Sequence, residues 1–467
     1  MTLTLLLLMF VGAGLLAALV VFVAMRPVWA AYIFLATQPF VGGIDRGQLI
    51  PLFRPSEAIQ LILTTAVLLG VLVRVIRGEQ LSVRFTRLDR AVALLAIVSS
   101  VWPLCWQFAR GQIPSSADFQ STVVLWRLAS LYALFRWVVR TREEARRCLW
   151  VLLVAASFLA LFAILDSLGI WHPGGPWTPA LNGGPSPGRG GATLNSAIAV
   201  GDYLSYSLGV ALVYLLRGRQ PRLLVAGACG IIVVGILGTG QFSAWISMVI
   251  VIVVVARAEK QMARLIKWVG PAAVLAALVA GPVISQRLAG FHGASGLPQS
   301  WVVRWSNVTT LYLPRLAGFR WVFGVRPDTT LIPPETWRDI VYLESGYLWL
   351  FYVGGIPLVV AFIWFLRRGF AHTKKVIARR HDDISVAAVA TRGALWCLAI
   401  LSIIDPHLTL RGGADLFFCL LGLSANLNVP LPPPAPRPEV PRARPLGGVV
   451  YRPRELLAGG AHQASGP

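Results

Sequence analysis

Long apolar runs alternate with short polar segments along most of the chain, and this alternation is its dominant pattern. About 20 consecutive apolar residues are enough for an α-helix to cross a bilayer. Several runs approach or reach that length, so the pattern predicts an all-α polytopic membrane protein with about 13 transmembrane helices. The predicted spans fall near residues 3–24, 27–43, 57–75, 89–107, 119–138, 147–167, 196–216, 223–238, 241–256, 267–285, 343–366, 386–404 and 410–426.

The composition and the placement of charge support a membrane location. Of the 467 residues, 56% are hydrophobic and 13% are charged, whereas a soluble domain has about 25% charged residues. The net charge of +22 is concentrated in alternate loops, which the positive-inside rule assigns to the cytoplasm. An odd span count then places the N-terminus outside and the C-terminus inside, and no nucleic-acid partner is expected. The basic loops include Arg74, Arg77, Arg84, Arg87, Arg140, Arg142, Arg146, Arg147, Arg217, Arg222, Arg257, Lys260, Arg367, Arg368, Lys374, Lys375, Arg379 and Arg380.

The same charge pattern predicts two long external loops, residues 168–195 and 286–342. Long loops in a compact protein are usually functional, which points to chemistry on the outer face of the membrane. The second loop contains a mixed aromatic, apolar and basic stretch from Trp301 to Val325, which predicts an interfacial helix. Residues 1–427 are thus expected to form a transmembrane helical bundle. Residues 428–467 are expected to form a disordered Pro/Arg-rich cytoplasmic tail.

Cysteines and charged residues inside the spans limit the chemistry further. The five cysteines lie in or beside apolar runs without a CxxC pair or a histidine cluster, so neither a disulfide framework nor a metal site is expected. Charge is costly in lipid, so Arg127, Asp202, Arg392, Arg411 and Asp415 are expected to face the bundle interior. The spacing of Arg411 and Asp415 predicts a helical i,i+4 ion pair.

One acidic residue stands at the start of an apolar run that extends to Phe365. Glu344 is followed by a small-residue turn, and ten residues separate it from Gly355. This spacing resembles the motif of the O-antigen polymerase and O-antigen ligase superfamily. Ligase members typically have histidine at the first position, and polymerase-like members more often have an acid. A simpler alternative is that Glu344 caps the helix, where a carboxylate meets the positive end of the helix dipole.

Further segments occur in the order expected for that superfamily. Segment 189–195, from Arg189 to Asn195, resembles the arginine, glycine and asparagine segment that closes an outer loop. The hairpin 238–245 lacks the arginine that members often carry there, and the large loop has Arg304 and Gly324 ahead of the acid. The resemblance spans roughly residues 120–425. It implies a helical bundle with an outer cavity that is roofed by the large loop.

The resemblance also implies a donor sugar on a polyprenyl diphosphate, whose leaving group needs cations. The guanidinium fork of arginine matches phosphate, so Arg189 and Arg304 are candidate catalytic residues, and Glu344 is the candidate general base. From the residues alone, Arg189 can equally be a solvated loop charge and Arg304 a snorkelling interfacial side chain. The external loops contain no Asp-x-Asp, so no metal or cofactor is expected. The candidate substrate-binding residues are Asp202, Asn195 and Arg320.

The resemblance favours a metal-independent glycosyltransferase of the bacterial inner membrane that polymerises undecaprenyl-diphosphate-linked oligosaccharides for surface polysaccharide or exopolysaccharide. Its expected partners are that lipid-linked substrate, membrane lipids and a chain-length regulator protein. One alternative is a ligase that transfers a finished glycan to lipid or protein. A second is a transporter of the lipid-linked glycan that performs no chemistry. Transporters more often show two matching halves with broken helices, and no such repeat is evident in the sequence.

Overall fold

In the computed structural model, the chain is described from residue 3 to residue 429, apart from 52, 80–83, 178–188, 219, a set of positions between 264 and 298, 334–340 and 427. The predicted tail beyond 429, and about half of the predicted span 267–285, lie outside the described residues. The described part is helical, with one isolated bridge between Leu331 and Val341. Its helices are α1 (Leu3–Met25), α2 (Val28–Val41), α3 (Pro55–Ile76), α4 (Arg87–Ala109), α5 (Ser116–Val138), α6 (Arg142–Ser167), α7 (Ala197–Arg217), α8 (Arg222–Gly238), α9 (Phe242–Glu259), α10 (Gly281–Ala289), α11 (Gln299–Asn307), α12 (Arg320–Phe323), α13 (Gly346–Arg379), α14 (Asp383–Leu401) and α15 (Gly413–Ser424), with short 3-10 or π turns at Gly175–Trp177, Ala192–Leu194, Val308–Tyr312 and Pro314–Leu316.

The prediction of a multi-pass helical membrane protein is confirmed at the level of fold class. Among the described residues, seven helices are long and apolar enough to cross a membrane, namely α3, α4, α6, α7, α9, α13 and α14. Shorter apolar helices occur at Phe10–Met25, α2, α8 and α15. The count of about 13 spans stays a prediction. Helix α5 is 23 residues long but carries three charged residues, and it is not among the seven.

Polar residues set several helix starts within this apolar sequence. The side chains of Thr86, Ser115 and Thr141 each accept a hydrogen bond from the backbone N–H three residues later. In each case that later residue is an acid whose carboxylate bonds back to the cap. This reciprocal arrangement satisfies helix N–H groups that have no partner within the helix. The starts of α4, α5 and α6 are therefore encoded locally.

Burial separates the centre of the bundle from its periphery. In the most apolar stretch of α7, 89% of residues are buried, whereas the corresponding figure for α3 is 22%. Helix α7 therefore lies at the centre, and most of the surface of α3 faces outward. A charged residue in the buried middle of α7, such as Asp202, can be satisfied only by other protein groups.

The bundle has two chemically different ends. At one end, the segment before α7 meets the α8–α9 turn, where the Gly190 amide donates to the Gly238 carbonyl oxygen over 3.2 Å. Helix α7 runs from there to the other end, where Arg217 pairs with Glu259 at 2.7 Å. The loops that are rich in arginine follow helices that finish at this second end. We call the end that contains Gly190 the site end.

Candidate functional site

The helix that follows Glu344 is broken at Gly355, and the break gives the acid-to-glycine spacing a structural meaning. Gly355 has φ 61° and ψ −153° inside α13, a conformation that is essentially confined to glycine. A Cβ at this position would lie 2.2 Å from the carbonyl oxygen of Val322. The large loop therefore packs directly on the helix backbone three turns after Glu344, and this contact sets the loop relative to the acid.

Two further contacts hold the loop at the break. Gly324, with φ 90°, approaches α13 so closely that a Cβ would lie 2.6 Å from the Val353 carbonyl oxygen. Phe323 stacks on Trp106 of α4 with ring centroids 4.4 Å apart. The Trp106 indole also donates to the Gly324 carbonyl oxygen over 3.1 Å. The loop segment around Phe323 and Gly324 is thus packed between α4 and α13.

Arg304 of α11 connects this loop to two carboxylates. Its Nε lies 2.7 Å from Glu344 Oε2, and its Nη1 donates to Asp405 Oδ1 over 2.8 Å. The Glu344 side chain is 42% exposed, whereas that of Asp405 is 2% exposed. The buried carboxylate of Asp405 therefore anchors Arg304, and Arg304 in turn positions the partly exposed carboxylate of Glu344.

Glu344 does not cap the following helix. The N-cap of α13 is Ser345, whose hydroxyl accepts from the Leu348 amide over 3.4 Å. Burial is the main influence on the pKa of Glu344 and raises it, and the Asp405 carboxylate raises it further. Arg304 and Arg189 act in the opposite direction, and the pKa stays above its ordinary value. A carboxylate with a raised pKa is suited to accept a proton near neutral pH.

Arg189 belongs to the same cluster. Burial is the main cause that lowers its pKa; Arg304 lowers it further, and Glu344 and Asp405 oppose the shift, so all three groups lie within electrostatic reach. Its place depends on Gly190, where a Cβ would lie 2.4 Å from the Ala163 carbonyl oxygen. Within the described part of the chain, the Arg189 guanidinium makes no hydrogen bond. Among the described residues, it is thus the cation of the cluster whose N–H donors are left for an incoming anion.

A buried pair adjoins this cluster through loop 402–412. His407 Nδ1 lies 2.6 Å from Asp202 Oδ2, and both side chains are at most 1% exposed. The His407 amide donates to the Asp405 carbonyl oxygen over 2.9 Å. Burial lowers the pKa of His407, but the Asp202 carboxylate outweighs it, so the pKa is raised. Asp202, a predicted substrate-binding residue, is thus bonded to a histidine and shielded from solvent.

Asp405 and His407 were not predicted from the sequence. Both lie in a short loop between two apolar runs, and their partners Arg304 and Asp202 are about 100 and 200 residues away. The available signal was local, since an acid and a histidine flank Pro406 within an otherwise apolar region. Ionisable residues next to a membrane span are often part of a functional site, so both residues could have been named as candidates.

An apolar cavity of about 440 Å³ opens beside Arg304 and Glu344. Apart from Ser345, its remaining lining is aromatic and aliphatic and comes from the large loop, the start of α13 and the segment just after α14. The cavity places hydrocarbon-compatible walls next to the charged cluster, which suits an amphiphilic ligand. The apolar lining residues are Trp301, Trp305, Val308, Leu313, Leu348, Ile403 and Ile404.

The other two predicted substrate-binding residues occupy different positions. Asn195 has φ 56° and ends the 3-10 turn that leads into α7. Arg320 is exposed, lies near Arg110, and donates to the Arg315 carbonyl oxygen over 3.3 Å. The structure therefore brings together Arg189, Arg304 and Glu344, and it shows no contact between Arg320 and that cluster.

The predicted ion pair between Arg411 and Asp415 is wrong. Arg411 lies 3.4 Å from Asp45, and Asp415 lies 2.5 Å from Arg127. The reason is local, because Gly412 has φ 88° and α15 begins only at the next residue. The two side chains are therefore not one helical turn apart, and each meets a partner on a different helix or loop.

Comparison with known proteins adds no relative. No protein-family model matches the chain, and no curated protein or solved structure is significantly similar to it. Among the described residues, no group of three or more His, Cys, Asp or Glu side chains is arranged to hold a metal ion.

Proposed function

We propose that the chain is a membrane glycosyltransferase that polymerises oligosaccharide units carried on a polyprenyl diphosphate. The observation that carries this proposal is the cluster of Arg189, Arg304 and Glu344. These residues are far apart in the sequence, yet they meet at the site end, beside an apolar cavity of about 440 Å³. A cationic group, a carboxylate with a raised pKa and an apolar wall match a diphosphate, a sugar hydroxyl and a lipid chain.

The proposed reaction forms one glycosidic bond and breaks one sugar–phosphate bond. The acceptor hydroxyl attacks the anomeric carbon of the donor, and the bonding electrons depart with the diphosphate. Glu344 takes the proton of the attacking hydroxyl. Arg189, which has no hydrogen-bond partner among the described residues, stabilises the charge on the leaving diphosphate. Arg304 is pinned to Asp405 and holds the Glu344 carboxylate in position.

The proposed setting is the outer face of a bacterial cytoplasmic membrane. The arginine-rich loops lie at the end opposite to Gly190, and such loops normally remain in the cytoplasm. The site end then faces outward, where the lipid-linked donor and the acceptor oligosaccharide can meet each other. A chain-length regulator remains an expected partner under this proposal.

Polymer formation by the purified protein tests the assignment of Glu344. The full chain in nanodiscs is supplied with lipid-linked repeat units, and the product ladder is measured over time. Glu344→Gln keeps the size and the hydrogen-bonding capacity but removes the basicity, so turnover should fall roughly 10²–10⁴-fold. Donor binding, measured separately, should persist.

Glu143→Gln is the matched control. Glu143 lies at the opposite end, is 46% exposed and also contacts arginine, so its substitution should leave turnover unchanged. Near-normal polymerisation by Glu344→Gln would contradict the role of general base.

The same assay separates the two alternatives. A wild-type protein that consumes donor only when a different lipid or protein acceptor is added would be a ligase. A protein that binds the lipid-linked unit without ever cleaving the sugar–phosphate bond would contradict enzymatic function and favour a transporter.

A further inference from the structure

A second cavity lies between α3 and α5 and shares no lining residue with the cavity beside Glu344. Its volume is about 510 Å³, and its walls are mainly apolar. Helix α3 is the least buried of the candidate spans, so the cleft opens toward the hydrocarbon of a surrounding bilayer. The apolar lining residues are Phe53, Leu61, Phe119, Val123, Val124 and Trp126.

Charged side chains surround one end of this cleft. Arg46 lines it and makes a two-point contact with Glu57, at 3.0 and 3.1 Å. Arg54 lies 3.6 Å from Glu57 and 3.8 Å from Asp45, and Arg411 lies 3.4 Å from Asp45. We call these five residues the arginine rim. Three guanidinium groups share two carboxylates, so the rim carries one positive charge in excess.

Burial and the excess charge act together on Arg54. Burial lowers its pKa most, and Arg411 and Arg46 add to the effect, so that the pKa is about 9 despite the nearby carboxylates. Its Nε is buried and has no hydrogen-bond partner among the described residues. A buried donor without a hydrogen bond is costly, and one negative charge at the rim would balance the positive charge beside it.

The deeper part of the cleft is polar at a few points. Gln60 donates to the Arg127 carbonyl oxygen and to the Ser130 hydroxyl, each over 2.7 Å. Arg127 is itself neutralised by Asp415. Thr64 lines the cleft, and its buried hydroxyl has no partner in the described part of the chain. The depth of the cleft thus adds no net charge and leaves one hydroxyl for a ligand.

We propose that the cleft between α3 and α5 binds an anionic membrane lipid. Its phosphate lies at the arginine rim, and one acyl chain lies between the two helices. A lipid with a single net negative charge supplies the charge that the rim lacks, whereas a zwitterionic lipid brings its own cation. Apolar walls at membrane depth suit a hydrocarbon chain and not a free phosphate. The proposal is independent of glycosyl transfer, because it uses none of the groups assigned to that reaction.

Native mass spectrometry of the delipidated full chain tests the choice of lipid. Phosphatidylglycerol and phosphatidylcholine with identical acyl chains are titrated separately, and glycerol phosphate is titrated as the head group alone. Phosphatidylglycerol should be retained about tenfold more tightly than phosphatidylcholine, which corresponds to about 1.4 kcal/mol. Equal retention of the two lipids, or glycerol phosphate binding as tightly as phosphatidylglycerol, would overturn the proposal.

Two tryptophan variants locate the site. Val123 lines the cleft and is 55% exposed, whereas Val101 on α4 is 50% exposed and lies outside it. Val123→Trp should fill the cleft and weaken phosphatidylglycerol retention about tenfold, whereas Val101→Trp should not change it. Thermal melting of both variants in detergent verifies that they fold alike. Equal retention of phosphatidylglycerol by the two folded variants would show that the lipid does not bind in this cleft and would contradict the proposal.

Discussion

Arg189 and Arg304 belong to one cluster, but their surroundings differ. Arg304 is held by Glu344 and Asp405, whereas Arg189 makes no hydrogen bond within the described residues. Arg189→Ala should therefore reduce turnover roughly 10²–10³-fold, the usual effect of losing one charge-stabilising donor. Arg189→Lys should recover little, because an ammonium does not replace a bidentate fork.

Polymerisation rates of the purified Arg189 variants are measured at saturating and limiting donor. Arg320→Ala is the control, because Arg320 is exposed and bonds only a nearby carbonyl oxygen among the described contacts. If Arg189→Lys restores the full rate, a clamp on the diphosphate is the wrong role for this residue.

The buried pair of His407 and Asp202 predicts a pH dependence of stability. The groups that act on His407 are Asp202, Asp405 and Arg304, and the net result is a raised pKa. A histidine whose pKa rises on folding adds stability that is fully present below its unfolded pKa, about 6.5. That stability is lost as the pH rises through the folded pKa. The melting temperature of the wild type should therefore fall as the pH rises from about 6.5 to the pKa of His407 in the folded protein.

His407→Gln should flatten this dependence, because glutamine does not titrate. Melting temperatures of the wild type and the variant, recorded in detergent at several pH values, provide the measurement. His381→Gln is a control at an exposed histidine. An unchanged slope in His407→Gln would assign the pH dependence to another group.

At the scale of elements, Gly355 is the point where the large loop meets α13. Gly355→Ala forces a side chain into a conformation that costs of order 1–3 kcal/mol, and its Cβ would lie 2.2 Å from the Val322 carbonyl oxygen. The loop should therefore detach from the helix and lose the position of Arg304 relative to Glu344. Limited proteolysis should cut the loop faster, and polymerisation should fall in parallel.

The control is Gly230→Ala on α8, where an added Cβ would meet nothing within 4 Å. An alanine in a helix interior is favourable by roughly 0.5–1 kcal/mol relative to glycine. Gly230→Ala should therefore leave both proteolysis and activity unaffected. Equal cleavage rates for the two variants would show that the close approach at Gly355 does not hold the loop.

Elements were predictable from the sequence to different degrees. Apolar runs and capping residues located most helices, because length and local caps are encoded within each segment. The pairing of Arg411 with Asp415 was predicted wrongly, because one glycine with positive φ delays the start of α15. The break at Gly355 was hidden within an apolar run, since its cause is a loop that lies elsewhere in the sequence.

At the scale of the whole molecule, the predicted residues Arg189, Arg304 and Glu344 do lie together. Their resemblance to a known order of motifs supplied that expectation. Asp405 and His407, which anchor Arg304 and bond Asp202, could not be predicted, because their contacts depend on the packing of helices that are distant in the sequence. Sequence thus identified the half-buried charges of the cluster, and packing identified the fully buried groups that hold them.

The charge of the loops at its two ends predicts the orientation of the whole bundle. Because arginine-rich loops stay in the cytoplasm, the loop around Gly296 should be external and the start of α6 cytoplasmic. Gly296→Cys and Ser186→Cys, each introduced with Cys105→Ser to remove the exposed native thiol, should react with an impermeant maleimide in intact spheroplasts. Arg147→Cys, at a side chain that is 64% exposed, should react only after permeabilisation. The reverse pattern would place Glu344 in the cytoplasm, where an externally displayed lipid-linked glycan cannot reach it, and would remove the basis for the proposed reaction.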